Sequence, residues 1–237
     1  MLDLIVMAIE LISCPTCYSP TVNLYGKTKQ HKQRYHCKTC HRTFILDYTY
    51  NGHKSSVVHY ILPMLFHSCG VRDTASVLSI STTTVLKTIR QYFARLRHQP
   101  SFSLPRARKN VEIDEMWSFV RSKSQQRWLW YAYDRESKTI LDFVVGRRTD
   151  EACQFLLQKL SRYTIETIHT DNWEAYSKFI APEQHAMSKL GTQRIERTNL
   201  TFRTHLKRLQ RRTICFSKSD EIHYAVLSLY IHQWNSS

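Results

Sequence analysis

No stretch of the 237 residues approaches the ~18–20 consecutive apolar residues of a membrane span. The apolar start, MLDLIVMAIELIS, is short and carries Asp3 and Glu10. It lacks the basic n-region and small-residue cleavage site of a secretory signal, so the expected location is the cytoplasm. Met7 is an alternative start to Met1. Glycine and proline are scarce, at five and six, which excludes collagen-like and low-complexity chains. No internal repeat is present, so a solenoid is excluded too. The seven cysteines are not a disulfide framework: four form two close pairs, and Cys69, Cys153 and Cys215 stand alone as small hydrophobes. Acid is also short, with 19 Asp+Glu against 34 Lys+Arg, a net charge of +15. Such a field favours an anionic partner, and nucleic acid is the commonest one.

The 42 % hydrophobic and 12 % aromatic content is enough for a real core. Three blocks and a linker are expected. Residues 1–52 hold the paired cysteines, residues 53–97 read as helices, and residues 98–110 have the two prolines and poor periodicity of a linker. Residues 111–237 form the largest block. It opens with strand-like runs at 110–121, 127–134 and 139–146, rich in β-branched and aromatic residues and separated by short turn-like gaps. A helix over 149–163 follows, with Phe155, Leu156 and Leu160 on one face. A short strand over 165–170 ends at Asp171, and helices are expected over 172–180, 192–211 and 219–234. This order predicts an α/β domain, a mixed sheet flanked by helices. Trp117, Trp128, Trp130 and Trp173 read as core aromatics, with support of Asp171 as the alternative role for Trp173. Ser217 and Ser219 read as caps of the last helix, whose buried stripe would be Ile222, Ala225, Val226 and Leu229. His205 reads as an exposed, non-catalytic side chain.

Cys14 and Cys17 (CPTC) and Cys37 and Cys40 (CKTC) are separated by nineteen residues. Two residues between cysteines allow a tight knuckle that aims both thiolates at one ion, and two knuckles complete a tetrahedron. One structural Zn²⁺ is therefore expected, in a zinc-ribbon module serving DNA binding or assembly. His31, His36 and His41 lie nearby, but four thiolates suffice.

The segment VRDTASVLSISTTTVLKTIR has helix-turn-helix rhythm. Ala75 and Leu78 lie on a first helix, Ser79-Ile80-Ser81 makes the turn with Ile80 turned inward, and Ser81 is an N-cap. Val85, Ile89 and Phe93 recur at four-residue spacing on a buried face, leaving Thr82, Thr83, Lys87 and Arg90 to face a major groove.

Between Gly191 and Lys218, eight basic residues surround Glu196 alone. A surface built only to hold a polyanion gains nothing from that acid. Phosphodiester chemistry needs carboxylates brought from separate elements to hold two divalent cations, Mg²⁺ or Mn²⁺. Asp114 in the first strand, Asp171 at the end of the fourth, and Glu196 on a late helix meet that description. Asn199 and Arg203 share the helical face of Glu196, and Lys207, Arg208, Arg211 and Arg212 continue the basic surface towards DNA. Strand alternation does not choose between Glu112 and Asp114, which point the same way.

Taken together, CPTC…CKTC, the helix-turn-helix, VEIDEMWSFV, HTDNWEAY and RIERTNLTFRTHLKRLQRRTICFSKS resemble the DDE-type transposases of the insertion sequence 1 family, in family order along nearly the whole chain. The resemblance implies a ribonuclease-H-like catalytic domain preceded by a zinc ribbon and a helix-turn-helix. It makes Asp114, Asp171 and Glu196 the triad, with Arg203 as a basic residue beyond it; 24 residues separate Asp171 from Glu196. It implies cleavage of element ends and transfer of 3′-hydroxyls into target DNA. The implied partners are terminal inverted repeats, target DNA and a second copy of the chain, in a nucleoid setting and without a membrane. Family members often have their two halves encoded in overlapping frames, and this chain carries both. Two other readings fit the residues: a non-catalytic DNA-binding regulator, and a structure-selective nuclease of the same fold.

Overall fold

The computed structural model describes residues 11–97 and 107–236. The alternative starts and residues 98–106 of the expected linker lie outside that range. The described chain forms two compact units divided after Lys54.

In the first unit, strands β1 (Val22–Lys27), β2 (Gln33–Cys37) and β3 (Thr43–Ile45) form an antiparallel sheet in that order. Its buried apolar core is small: Cys14, Cys37 and Phe44. Each cysteine pair lies on a tight turn. The Tyr18 N–H donates to the Cys14 carbonyl (2.9 Å) and the His41 N–H to the Cys37 carbonyl (3.0 Å). Both turns close on a residue with positive φ, 58° at Tyr18 and 58° at His41.

The second unit begins with α1 (Ser55–Val58), α2 (Ile61–Phe66), α3 (Val71–Val77) and α4 (Thr82–Arg97). Then come β4 (Ala107–Phe119), β5 (Gln126–Asp134), β6 (Ile140–Gly146), α5 (Asp150–Leu160), β7 (Thr164–Thr170), α6 (Glu174–Phe179), β8 (His185–Met187), α7 (Gln193–His205) and α8 (Asp220–Asn235). The sheet order is β6-β5-β4-β7-β8. The first three strands pair antiparallel, and β4-β7 and β7-β8 pair parallel. This is the mixed, helix-flanked sheet of the ribonuclease-H-like class. The expected strands and helices are all present; β8 was not anticipated, and residues 107–110, expected in the linker, are the start of β4. The helix expected over 192–211 ends at His205 and passes into a short 3₁₀ turn, Lys207–Leu209.

Central strand β4 is buried on both faces, so its buried charged residues Arg108, Glu112 and Glu115 need partners there beside the apolar ones. Val111 and Ile113 pack with Leu156, Leu160 and Tyr176 of α5 and α6. Met116, from the other face, packs with Tyr131, Phe202 and the α8 residues Val226 and Leu229. The same second core takes in Ile61, Leu65, Ile80, Val85 and Ile89. The helix-turn-helix therefore has no core of its own and is built onto the sheet through α8. The contacts are specific. The Phe93 and Tyr224 rings meet edge to face at 5.7 Å, and the Ser68 hydroxyl and N–H donate to the last carbonyls of α7, at Thr204 (2.7 Å) and His205 (2.8 Å).

Several local expectations hold. Ile80 is buried and Ser81 accepts the Thr84 N–H at 3.0 Å. Ser219 caps α8 by accepting the Ile222 N–H at 3.1 Å. Others are corrected. Phe155 is exposed rather than packed beside Leu156. Ser217 is not a cap; it is buried between Arg208 (2.9 Å) and His223 (2.9 Å). His205 is half-buried, with its Nδ1 2.7 Å from the Tyr230 hydroxyl. Of the four tryptophans only Trp130 is fully buried; the other three are half-buried.

Candidate active site

Parallel pairing brings the two aspartates level. Glu112 on β4 stands opposite His169 on β7. Two residues further along both strands are Asp114 and Asp171, at the carboxyl end of β7, where α/β sheets place their sites. Carboxylate oxygens of Asp114, Glu115 and Asp171 lie within 4.8 Å of one another. Glu115 points to the opposite face of β4 from Asp114, and its side chain lies on the α5–α6 side. There the Tyr176 hydroxyl donates to it at 2.6 Å and Arg148 pairs with it at 2.6 Å. Asp171 is exposed and accepts the Trp173 N–H at 2.9 Å. Trp173 thus takes its alternative role of supporting Asp171, through its backbone.

Asp114 is held from the other side. Asn199 of α7 donates to it at 2.6 Å, and the Glu115 N–H at 2.8 Å. The buried Tyr131 hydroxyl donates to Asn199 Oδ1 at 2.8 Å, which fixes the amide with its NH₂ towards Asp114. Burial pushes the Asp114 carboxyl up to about 7, and the Glu115 charge adds to the rise. Burial also raises Glu115, against the opposing pull of Tyr176 and Arg148. A pair of carboxyls held in this unfavourable state, with the Asp171 carboxylate as a third oxygen ligand beside them, suits a hard divalent cation.

Geometry separates the two acids that strand alternation left equivalent. Glu112 is buried and saturated: Arg135 donates to one oxygen at 2.6 Å and the Ile195 N–H of α7 to the other at 2.7 Å. Arg135 also donates to the Gly191 carbonyl. Glu112 is therefore the dock for the N-terminus of α7, where a carboxylate meets free N–H groups and the positive end of the helix. Gly191 allows this approach, since a Cβ there would lie 2.9 Å from His169 Nδ1.

Glu196 is exposed and accepts the Thr192 hydroxyl at 3.3 Å. It stands outside the cluster formed by Asp114, Glu115 and Asp171. It lies three residues before Asn199, hence one helical turn from the side chain that grips Asp114. Arg203 is half-buried on the same helix, its Nη1 3.4 Å from the Leu209 carbonyl. Burial lowers the Arg203 guanidinium and Arg211 lowers it further, while Asp114 pulls it up. Arg211 and Arg212 are exposed, and Lys207 pairs with Asp73 at 3.7 Å. Arg208 is corrected: it is buried against Ser217 and is not turned towards a DNA backbone. On α4, Thr82, Thr83 and Lys87 are exposed as expected, whereas Arg90 is committed to Glu221 at 2.8 Å instead of facing outward alone.

In the first unit, Cys14, Cys17, Cys37 and Cys40 converge within 4.8 Å. The Sγ–Sγ separations are 3.6 Å for Cys14–Cys40 and 3.5 Å for Cys17–Cys37. Thiolates ~2.3 Å from a tetrahedral ion stand roughly 3.8 Å apart, so the four sulfurs already fit such a centre.

A family model described as IS1 transposase matches residues 109–235. The chain belongs to the IS1 transposase family. It is 48 % identical over 122 residues to the insertion element iso-IS1n protein InsB of Shigella dysenteriae, covering 52 % of this chain and 93 % of that protein. It is 40 % identical over 149 residues to the IS1 9 protein InsB of Escherichia coli K12, covering 63 % and 87 %. A solved simian T-cell lymphotropic virus intasome aligns over 71 % of this chain and 67 % of that chain at 16 % identity, with a TM-score of 0.36, a likeness too slight to build on. The matched region of this IS1-family chain contains every residue of the carboxylate cluster.

Two features of the site were not anticipated: Glu115 as a member of the cluster, and Asn199 as the side chain that holds Asp114. The sequence carries a signal for the first, since Glu115 directly adjoins Asp114 between the apolar residues Ile113 and Met116, and an acid buried there needs partners. Tyr131 and Arg148, on other strands and loops, carry none. Among the described residues, no helix is long and apolar enough to cross a membrane.

Proposed function

We propose that this IS1-family protein cleaves and joins DNA strands by metal-dependent phosphoryl transfer in the cytoplasm, cutting element ends and transferring their 3′-hydroxyls to target DNA. The observation that carries the reading is the juxtaposition of Asp114 and Asp171 beside the helix that bears Glu196. Asp114 and Asp171 would hold one Mg²⁺ or Mn²⁺ ion, and Glu196 would share in a second. The ions supply activation of the attacking oxygen and stabilisation of the leaving oxygen.

The chain's own residues position these groups. Asn199 and Tyr131 fix the Asp114 carboxylate. Glu112 and Arg135 fix the start of α7, and with it the height of Glu196 above the sheet. Arg203, Arg211 and Arg212 offer positive charge to the phosphates of the bound strand. The Cys14, Cys17, Cys37 and Cys40 set would hold one structural Zn²⁺, and Thr82, Thr83 and Lys87 would read duplex DNA. Handling two element ends calls for at least two copies of the chain.

The test is a cleavage and strand-transfer assay on duplexes carrying the DNA that flanks the gene, with Mg²⁺ or Mn²⁺. Wild type should nick and join, while Glu196→Gln should bind the same DNA and produce neither product. Equal cutting by both proteins would remove Glu196 from the site. A protein–DNA adduct stable on a denaturing gel would rule out direct attack by water or hydroxyl.

A further inference from the structure

A second basic surface lies apart from the tail of α7. Where the β4–β5 turn, the start of α8 and the β6–α5 junction meet, a polar cleft is lined by Arg121, Gln126, Arg127, Arg147, Arg148 and Thr149. Four guanidinium groups in one cleft repel one another, so each calls for a counter-charge. Two have one within the chain. Arg127 grips Asp220 through Nε at 2.6 Å and Nη2 at 3.1 Å. Arg148 pairs with Glu115 and lies over Trp128 and Trp173, at 5.2 Å and 4.7 Å from the ring centres.

The other two form no ion pair among the described residues, and Arg121 only shares the charge of Asp220 at longer range with Arg127. Arg121 gives its Nε to a neutral acceptor, the Lys218 carbonyl, at 3.2 Å. Arg147 uses only its backbone carbonyl, on Trp130 Nε1 at 3.1 Å, and its side chain has no partner among the described residues. Both side chains are exposed. The cleft leads to the carboxylates: Arg148 lines it and also touches Glu115, whose oxygen lies within 4.8 Å of Asp114 and Asp171.

We propose that this cleft holds the sugar–phosphate backbone of duplex DNA as it enters the carboxylate cluster, with Arg121 and Arg147 each neutralising a phosphate. The proposal rests on the reading that the chain acts on DNA. Arg127 and Arg148, locked by Asp220 and Glu115, keep the cleft in shape. Phosphate contacts of this kind set register and carry no base preference, so the cleft serves any duplex equally, in contrast to the exposed start of α4.

The test compares wild type, Arg121→Ala/Arg147→Ala and Arg121→Lys/Arg147→Lys as full-length, zinc-loaded proteins. Equilibrium binding is followed across a salt series with two duplexes, one of random sequence and one from the DNA flanking the gene. Each lost phosphate contact lowers the slope of log K against log salt by about 0.9 and log K at 0.1 M salt by a similar amount. The alanine pair should thus lower the slope by about 1.8 and weaken binding about 60-fold at 0.1 M salt. The loss should be the same for both duplexes, and the lysine pair should restore it. An unchanged slope would overturn the proposal. So would a loss confined to the flanking duplex, or one that lysine does not repair. Cleavage is not read, so a protein that binds but never cuts would defeat the catalytic reading and leave this one tested.

Discussion

The two ligand clusters of this chain solve one problem in opposite settings. The four cysteines sit in a unit whose buried apolar core is little more than themselves and Phe44. The carboxylates sit on the central strand of a five-stranded sheet with a core on each face. The contrast separates two uses of an ion. In the first unit the metal would replace the core that so short a segment cannot build. In the second the fold exists first, and it spends stability on holding acids close together.

The largest effect that probes this contrast is metal removal. Chelation of zinc, or Cys37→Ser, should unfold residues 11–54 outright, since structural zinc in small modules contributes ~10 kcal/mol or more. Residues 55–236 should keep their melting transition, read by amide NMR or calorimetry. A shared loss of both transitions would break the contrast.

Next is chemistry at the sheet. Asp114→Asn should lower strand cleavage by roughly 10³-fold or more, of the order seen when a group that stabilises charge in the transition state is lost. The fold should remain. The same variant also tests the cost of the site. Asp114 has its carboxyl raised from 3.8 to about 7, so the folded state binds the extra proton, and stability falls as pH rises from about 4 to 7. In the absence of divalent ions, Asp114→Asn should therefore gain stability over wild type as pH rises through that window. Mg²⁺ should stabilise wild type at pH 8 and leave the variant unmoved.

A smaller effect belongs to the dock of α7. Glu112→Ala strands the Arg135 charge and the Ile195 N–H, and should cost about 3 kcal/mol by chemical denaturation. Glu112→Gln should cost less and still slow cleavage, because α7 is less firmly seated.

His223 gives an opposite pH slope. Burial, then the Arg208 charge, lower it from 6.5 to about 3. Its stability contribution is present above 6.5 and lost as pH falls towards 3. His223→Asn should flatten the acid limb of the wild-type stability curve. The smallest effect is expected at Arg90→Ala, an exposed pair with Glu221 worth less than about 1 kcal/mol.

Much of this was legible in the sequence because it depends on local rules. Runs rich in β-branched and aromatic residues, short gaps and a cap marked β4, β5 and β6 and the start of α8. Two CxxC pairs marked the sulfur cluster. Asp171 was legible as an acid at the end of a short strand, β7. What escaped depends on contacts distant in the chain. The sequence could not separate Glu112 from Asp114, since the difference lies in Arg135 and in the N-terminus of α7. Arg90 and Arg208 look alike in a string of basic residues, yet one meets Glu221 and the other is enclosed by Ser217 and Ile222. β8 is three residues long and adds to an edge, too little for any periodic signal.

The shared core between the helix-turn-helix and α8 bears on what shorter versions of this protein can do. Val85, Ile89 and Phe93 pack with Val226, Leu229 and Tyr224. A polypeptide carrying only the cysteine module and α1–α4 would expose that apolar stripe to water. It would be sparingly soluble by itself and prone to self-association, or would add to the full-length chain as a mixed oligomer.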